Sequence, residues 1–286
     1  MSVGIALQAV IFEYPGGLRA LDGVNLAVAP GESLALVGQN GSGKSTLVRL
    51  LVGLLRPTAG RVLIDGVDAA TLRVAQLATK VGLVFQDPSR QIFAGRVSDE
   101  VAFGPRNLGL RGRELEDAVR EALEAVGLAD EALANPYDLG ASRRKLLAIA
   151  SVLAMRTPAV VLDEPTTGQD ARGVARVQEI VRRLATEGRT VIAVSHDMRF
   201  VAETFDRIAV LQTGQIVLDG TPAEVFAEHN WAVLAATHLE PPTAARLGVC
   251  LGLGSTPSER SLLEALRVRH AAPRHPNSGP AATIRG

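Results

Sequence analysis

The stretch Gly38-Gln39-Asn40-Gly41-Ser42-Gly43-Lys44-Ser45-Thr46 constrains this chain more than any other. It satisfies the pattern G-x-x-x-x-G-K-[ST] between an apolar run, Leu34–Val37, and the helical pattern Leu47-Val48-Arg49-Leu50-Leu51. The glycines let successive backbone N–H groups turn inward on a phosphate, and the helix that follows points its positive end at the same place. In that setting Lys44 is expected to neutralise β and γ phosphates and Ser45 to ligate Mg²⁺. An ordinary glycine-rich turn is the competing reading, and the flanking strand and helix weigh against it.

A chain of 286 residues holds one large domain or a domain with an appendage. Its 30 basic and 30 acidic residues cancel, which gives no support to bulk binding of nucleic acid or of an anionic membrane surface. The single cysteine, Cys250, excludes an internal disulfide framework and fits a reducing compartment. The start Met1-Ser2-Val3-Gly4-Ile5 lacks a basic region followed by an apolar core, so no signal peptide is expected. No apolar run approaches the roughly 18 residues of a membrane span. Work at a membrane therefore requires another chain to supply the span.

Residues 3–14 read as a strand ending at Tyr14-Pro15-Gly16-Gly17, followed by strands at Val24–Val28 and Ser33–Val37. A helix is expected over Lys44–Leu55, with strands at Arg61–Asp65 and Val81–Phe85. From Val97 to Met155 the strand signal disappears, and helices are expected at Arg113–Val126 and Ser142–Met155. The βα rhythm resumes with strands at Ala159–Leu162 and Thr190–Val194, helices at Ala171–Glu187 and Met198–Glu203, then strands at Arg207–Leu211 and Gln215–Leu218. The pattern predicts an α/β fold: a mostly parallel core, an N-terminal antiparallel β layer and a helical insertion at about 97–155. Thr221-Pro222-Ala223-Glu224 reads as a capping box. After about Glu240 the character changes. A helical appendage within 236–270 is expected, with Thr243–Leu251 one helix and Thr256-Pro257-Ser258-Glu259 capping another, and 271–286 reads as a disordered tail.

A second chemical signal is Ala159-Val160-Val161-Leu162-Asp163-Glu164-Pro165. An apolar strand ending in adjacent carboxylates delivers charge at its tip, where one acid can hold Mg²⁺ and its neighbour can face a water. A solvated turn is the plainer reading of the same residues.

The phosphate loop, Gln86 after an apolar strand, Leu162-Asp163-Glu164-Pro165, Thr166-Thr167-Gly168-Gln169-Asp170, and His196 after Val191–Ser195 stand in the order that resembles ATP-binding-cassette ATPases. The resemblance spans about residues 3–230, and the cassette domain is placed at 3–235. Phe85-Gln86-Asp87-Pro88-Ser89-Arg90-Gln91-Ile92-Phe93 with Val101-Ala102-Phe103-Gly104-Pro105 further resembles the ATPase subunits of energy-coupling-factor transporters, importers of vitamins and of cobalt or nickel ions. The resemblance implies a P-loop NTPase fold that binds ATP and Mg²⁺ through Gly38, Asn40, Gly41, Ser42, Gly43, Lys44, Ser45 and Thr46. It implies Asp163 and Gln86 beside the metal, Glu164 as general base and His196 on the γ-phosphate. Tyr14 takes the place of the adenine-stacking aromatic; a strand-end tyrosine packed on the core is the alternative. The implied partners are a second cassette, identical or homologous, a transmembrane coupling subunit and a substrate-binding membrane subunit at the cytoplasmic face of the membrane, with no nucleic acid. The segment Ser89–Gly109 would receive the membrane partner's helices.

The chain departs from the family where a helix begins with Leu-Ser-Gly-Gly-Gln and caps the ATP of the opposite subunit. Here the positions read Leu139-Gly140-Ala141-Ser142-Arg143. Gly140 removes the serine hydroxyl while the helix N-terminus remains. One hydrogen bond lost to a charged group costs about 1.5–3 kcal/mol, equivalent to about ten- to a hundredfold in rate. Arg143 either compensates by reaching a phosphate or is the solvated start of a helix. Gln169 replaces a commoner leucine in a loop that crosses the dimer interface, and its use is open. Two functions follow: an ATP-hydrolysing motor of a membrane importer, or a weakly active nucleotide-binding subunit paired with a competent homologue. A cassette ATPase of translation or DNA repair fits the single cassette less well. In the appendage, Leu262, Leu263, Leu266 and Val268 form an apolar face suited either to dimerisation or to a small helical cap.

Overall fold

The computed structural model describes residues 2–271, so the expected tail lies outside the described residues from position 272 onward. The chain runs β1 (Ile5–Glu13), β2 (Arg19–Val28), β3 (Ser33–Val37), α1 (Lys44–Leu51), β4 (Ala59–Ile64), β5 (Val67–Asp68), α2 (Val74–Ala78) and β6 (Val81–Val84). Three helices follow, α3 (Val97–Asn107), α4 (Gly112–Val126) and α5 (Ala141–Leu153). The order closes with β7 (Ala159–Asp163), α6 (Ala171–Thr186), β8 (Thr190–Val194), α7 (Met198–Thr204), β9 (Arg207–Gln212), β10 (Gln215–Gly220), α8 (Pro222–Val225), α9 (Trp231–Ala236), α10 (Thr243–Cys250) and α11 (Glu259–Ala271).

Two sheets form. An antiparallel sheet has the order β2-β1-β4-β5, and a six-stranded sheet has the order β10-β9-β3-β8-β7-β6, parallel except for its β9–β10 hairpin. Strands β3 and β8 are buried at every position because both faces are covered. Leu34 and Leu36 of β3 pack with the antiparallel sheet and α1, while Ala35 and Val37 face the α5 and α6 side. Ile192 and Val194 of β8 follow the first set and Val191 and Ala193 the second, the period-two alternation of a strand buried twice over.

That topology positions the chemistry. The phosphate loop follows β3, His196 follows β8, Asp163 and Glu164 end β7, and Gln86 follows β6, so four neighbouring strands present the candidate residues at one sheet edge. Ligands of open α/β sheets bind at the carboxyl ends of strands for this reason. The register Asp163↔Val194, with the Glu164 N–H donating to the Val194 carbonyl at 2.9 Å, brings the segments after β7 and β8 level.

Several sequence expectations shift. The expected strand over Val24–Val28 begins earlier, at Arg19, because the ladder continues through a bulge around Gly23, whose φ is 71°. The helix expected to Leu55 stops at Leu51, ahead of the left-handed Gly53. Helix α3 has no counterpart in the sequence reading; Gly104 and Pro105 in its last turns mask a helix whose Val97, Val101 and Ala102 are buried. The Thr221–Glu224 box is present, with the Glu224 N–H donating to Thr221 Oγ1 at 3.3 Å and the Thr221 N–H to Glu224 Oε2 at 2.8 Å. Thr256 does not cap α11. Its hydroxyl donates to the Ala244 carbonyl at 2.8 Å, pinning the connection to α10, and Ser258 Oγ accepts the Ser261 N–H at 3.2 Å instead.

Candidate functional site

The phosphate loop closes around its own lysine. Lys44, 7% exposed, donates from Nζ to the carbonyls of Gly38 at 2.6 Å and Gln39 at 2.8 Å. Two of its glycines are dictated by space and backbone. Gly38 has φ 152° and a Cβ there would stand 2.2 Å from the Leu211 carbonyl; Gly43 has φ 110° and a Cβ would stand 2.5 Å from that of Ala20. Gly41 is left-handed with open space around it, and Asn40 and Ser45 are exposed. Ser42 Oγ is buried and has no hydrogen-bond partner, a cost that an arriving anion or its water would remove. Thr46 Oγ1 lies 3.0 Å from the Tyr14 hydroxyl, and the Tyr14 ring meets Phe12 edge-to-face at 4.8 Å. Tyr14 thus leans on the strand and on the helix after the loop, which tethers the ring at one end.

Asp163 and Glu164 continue from β7 into this space. Burial pushes the Asp163 carboxyl up, the neighbouring Glu164 charge adds to the push, and Lys145, Lys44 and Arg49 oppose it. Burial lowers the Lys44 ammonium, while Glu164 and Asp163 counteract. Glu164 is buried and held at φ 50°, a conformation that costs a non-glycine residue about 1–3 kcal/mol and is tolerated where the surroundings fix it. Its Oε2 lies 2.7 Å from His196 Nδ1 and accepts from Thr167 Oγ1 at 3.4 Å. His196 itself is largely exposed.

Lys145 joins the site without having been singled out in the sequence. It is 2% exposed and donates from Nζ to the carbonyls of Phe85, at 3.5 Å, and Gln86. Burial lowers its ammonium, against the pull of Asp163, Glu164 and Asp87. The signal was its place on the inward face of α5, one turn before Ile149. Exposed Gln86 is therefore held by its backbone from α5.

Gly140, Ala141 and Ser142 open α5 with no side-chain cap. Of the three, Ala141 lines a groove with Gln86, Pro88, Thr167 and Gly168. Among the described residues no hydrogen bond joins them to the phosphate loop of the same chain. The two side chains that could replace the missing serine are both engaged: Arg143 pairs with Glu131, and Ser142 Oγ donates to Gln169 Oε1 at 2.7 Å. The solvated reading of Arg143 is the closer one, with an ion pair added.

A divalent cation fits by donor chemistry: the Ser45 hydroxyl, the Asp163 carboxylate and the Gln86 side-chain carbonyl are hard oxygen donors suited to Mg²⁺. Among the described residues no group of three or more His, Cys, Asp or Glu side chains could hold a metal alone. A cation here would complete its shell with phosphate and water.

Replacing Lys145 with Met leaves two carbonyls without donors. Lys145→Met is expected to lower stability by about 1–3 kcal/mol in urea unfolding and to speed amide exchange across Phe85–Asp87; unchanged values of both would contradict this.

Comparison with known proteins agrees with this geometry. The ABC transporter family pattern matches residues 21–167, just over half of the chain. The chain is 42% identical over 242 residues to the energy-coupling factor transporter ATP-binding protein EcfA of Methanothermobacter thermautotrophicus, covering 84% of this chain and 78% of that protein. It superposes with a TM-score of 0.73 on CbiO1 of Clostridium perfringens, described as part of the ABC transporter complex CbiONQ, at 34% identity over 87% of this chain and 98% of the other. A dimeric ATP-binding cassette in a post-hydrolysis state, bound to ADP and Pi, gives 0.71 at 28% identity over 76% and 98%. With the phosphate loop, paired carboxylates and strand-end histidine in one cleft, the chain belongs to the ABC transporter family, as an ATP-hydrolysing cassette of the energy-coupling-factor type.

Proposed function

We propose that this chain is the ATP-hydrolysing subunit that energises a membrane importer of the energy-coupling-factor type, for vitamins or for cobalt or nickel ions. The observation that carries the reading is the contact of Glu164 with His196 at 2.7 Å beside the buried ammonium of Lys44. In this reading Lys44 and the N–H groups from Gly38 to Thr46 bind the β and γ phosphates. The purine lies by Tyr14. Ser45, Asp163 and Gln86 hold Mg²⁺, which when bound neutralises charge on the phosphates. Glu164 takes the proton of the attacking water, and His196, oriented through Nδ1, offers Nε2 to the γ-phosphate. The start of α5, at Gly140, Ala141 and Ser142, lends its N–H groups to the nucleotide of a second cassette, identical or homologous.

Among the described residues no helix is long and apolar enough to cross a membrane. The span is assigned to partners: a transmembrane coupling subunit and a substrate-binding membrane subunit, met at the cytoplasmic face. Phe93 and Phe103, 58% and 47% exposed and edge-to-face at 4.7 Å, give the Ser89–Gly109 segment an apolar spot for such a partner's helix. On α10, just after it and on α11, exposed Leu247, Leu251, Leu263 and Val268 support a role of the appendage in pairing two cassettes, with Leu262 and Leu266 half-buried.

In the assembled complex, Glu164→Gln is expected to cut steady-state hydrolysis by about a hundredfold or more while ATP still binds. Hydrolysis at the wild-type rate would refute the assignment of the base.

A second reading, a weakly active subunit beside a competent homologue, draws on Gly140 and on the engagement of Arg143 and Ser142. A Cβ at Gly140 meets nothing within 4 Å, so serine fits without rearrangement. Gly140→Ser is expected to raise turnover about ten- to a hundredfold in the site it completes. No gain would make the glycine harmless and remove this reading.

A further inference from the structure

The turn after Glu164 and the start of α5 are joined by one pair of side chains. Ser142 Oγ donates to Gln169 Oε1 at 2.7 Å, and Gln169 Nε2 donates to the Ser142 carbonyl at 3.1 Å. Two bonds between the same residues fix both separation and rotation. The amide can point only one way, because the Ser142 carbonyl accepts and cannot donate.

A third residue makes room for this pair. Gly173 lies in α6 with an ordinary helical backbone, so no left-handed turn requires glycine there. A Cβ at that position would stand 2.0 Å from Gln169 Oε1 and 2.9 Å from its Cδ. Glycine is a poor helix former, and the space taken by the glutamine amide accounts for its presence.

The turn between is short and internally bonded. The Thr167 N–H donates to the Glu164 carbonyl at 3.3 Å, the Gln169 N–H to the Thr166 carbonyl at 3.1 Å, and Asp170 caps α6 by accepting the Gly173 N–H at 2.7 Å. Glu164 at one end of the turn and Ser142 beyond the other are thereby linked through few soft torsions.

We propose that Ser142, Gln169 and Gly173 form a latch within one chain, and that Gln169 is a positioning residue coupling Glu164 of a subunit's own site to the helix start that the subunit lends to its partner's ATP. The coupling rests on the composite-site reading of function; the latch does not. A shift of α5 on engaging the partner's nucleotide carries the turn with it and moves the support of the base. Each site then senses occupancy of the other, which appears as cooperativity in ATP. A polar pair that served only to fill the groove would leave cooperativity untouched.

Amide hydrogen exchange on the full chain without nucleotide tests the latch. Gln169→Leu and Ser142→Ala should each speed exchange in both 164–170 and 141–147 by about threefold or more, while Ser142→Thr, which keeps the hydroxyl, should not. Gly173→Ala, which favours the helix, should nonetheless loosen 164–170. Ser142→Ala with wild-type exchange in 164–170 overturns the latch. ATPase rates of the assembled complex over a range of ATP concentrations test the coupling: the Hill coefficient of wild type should exceed that of Gln169→Leu, which should fall towards about 1. A wild-type complex that hydrolyses ATP without cooperativity, or a Gln169→Leu complex that keeps it, overturns the coupling. A wild-type complex that hydrolyses no ATP overturns instead the function on which the coupling rests.

Discussion

A buried ammonium held by the carbonyls of its own loop is the interaction on which the site depends. Lys44 Nζ reaches Gly38 and Gln39 from inside the turn, so the loop must curl tightly enough for its N–H groups to face one point. That curl exists because Gly38 and Gly43 take conformations, and leave spaces, that a side chain would close. The cation is expensive to bury alone. Asp163 and Glu164 offset the cost from the end of β7, where burial, and after it the neighbouring Glu164 charge, push the Asp163 carboxyl up. Lys44 and the carboxylates are therefore arranged for each other before any nucleotide arrives.

Lys145 repeats the device on the other side. It holds the carbonyls after β6 as Lys44 holds those after β3, and both lie in the field of the same two acids. Two buried cations thus face the same two carboxylates across the cleft. Because Lys145 sits on α5, this arrangement also fixes the helical segment to the strand end that carries Gln86. A hollow lined by Leu153, Arg156, Ile180 and Arg183 holds none of these residues. The proposed nucleotide seat lies at an exposed edge, with Asn40, Ser45, Gln86 and His196 open to solvent, as the proposed completion by a second subunit requires.

Much of this was legible from the chain. Phosphate loop and strand-end acids announce themselves because each needs particular residue types at fixed spacing, the family resemblance adds His196, and the parallel register Asp163↔Val194 brings the segments carrying Glu164 and His196 side by side. Helix α3 was illegible because Gly104 and Pro105 interrupt its pattern while tertiary burial of Val97 and Val101 decides the outcome. Lys145 reads in sequence as a third basic residue after Arg143 and Arg144, and its charge masks the inward-facing place on α5 that its spacing from Ile149 gives it. Gln169 reads only as a polar residue of open use in an interface loop, whereas its side chain is spent on Ser142 of its own chain. Such pairings depend on which distant segments the fold brings together, which spacing along a chain does not encode.

The central claim is that the loop around Lys44 is the seat of a triphosphate. Titration calorimetry with Mg-ATP on the wild-type chain and on Lys44→Ala tests it most directly. The account predicts saturable binding to the wild type, weakened about a hundredfold or more when the ammonium is removed, as expected for a buried charge on an anion. Equal affinity for the two proteins, or no heat with the wild type, would contradict it.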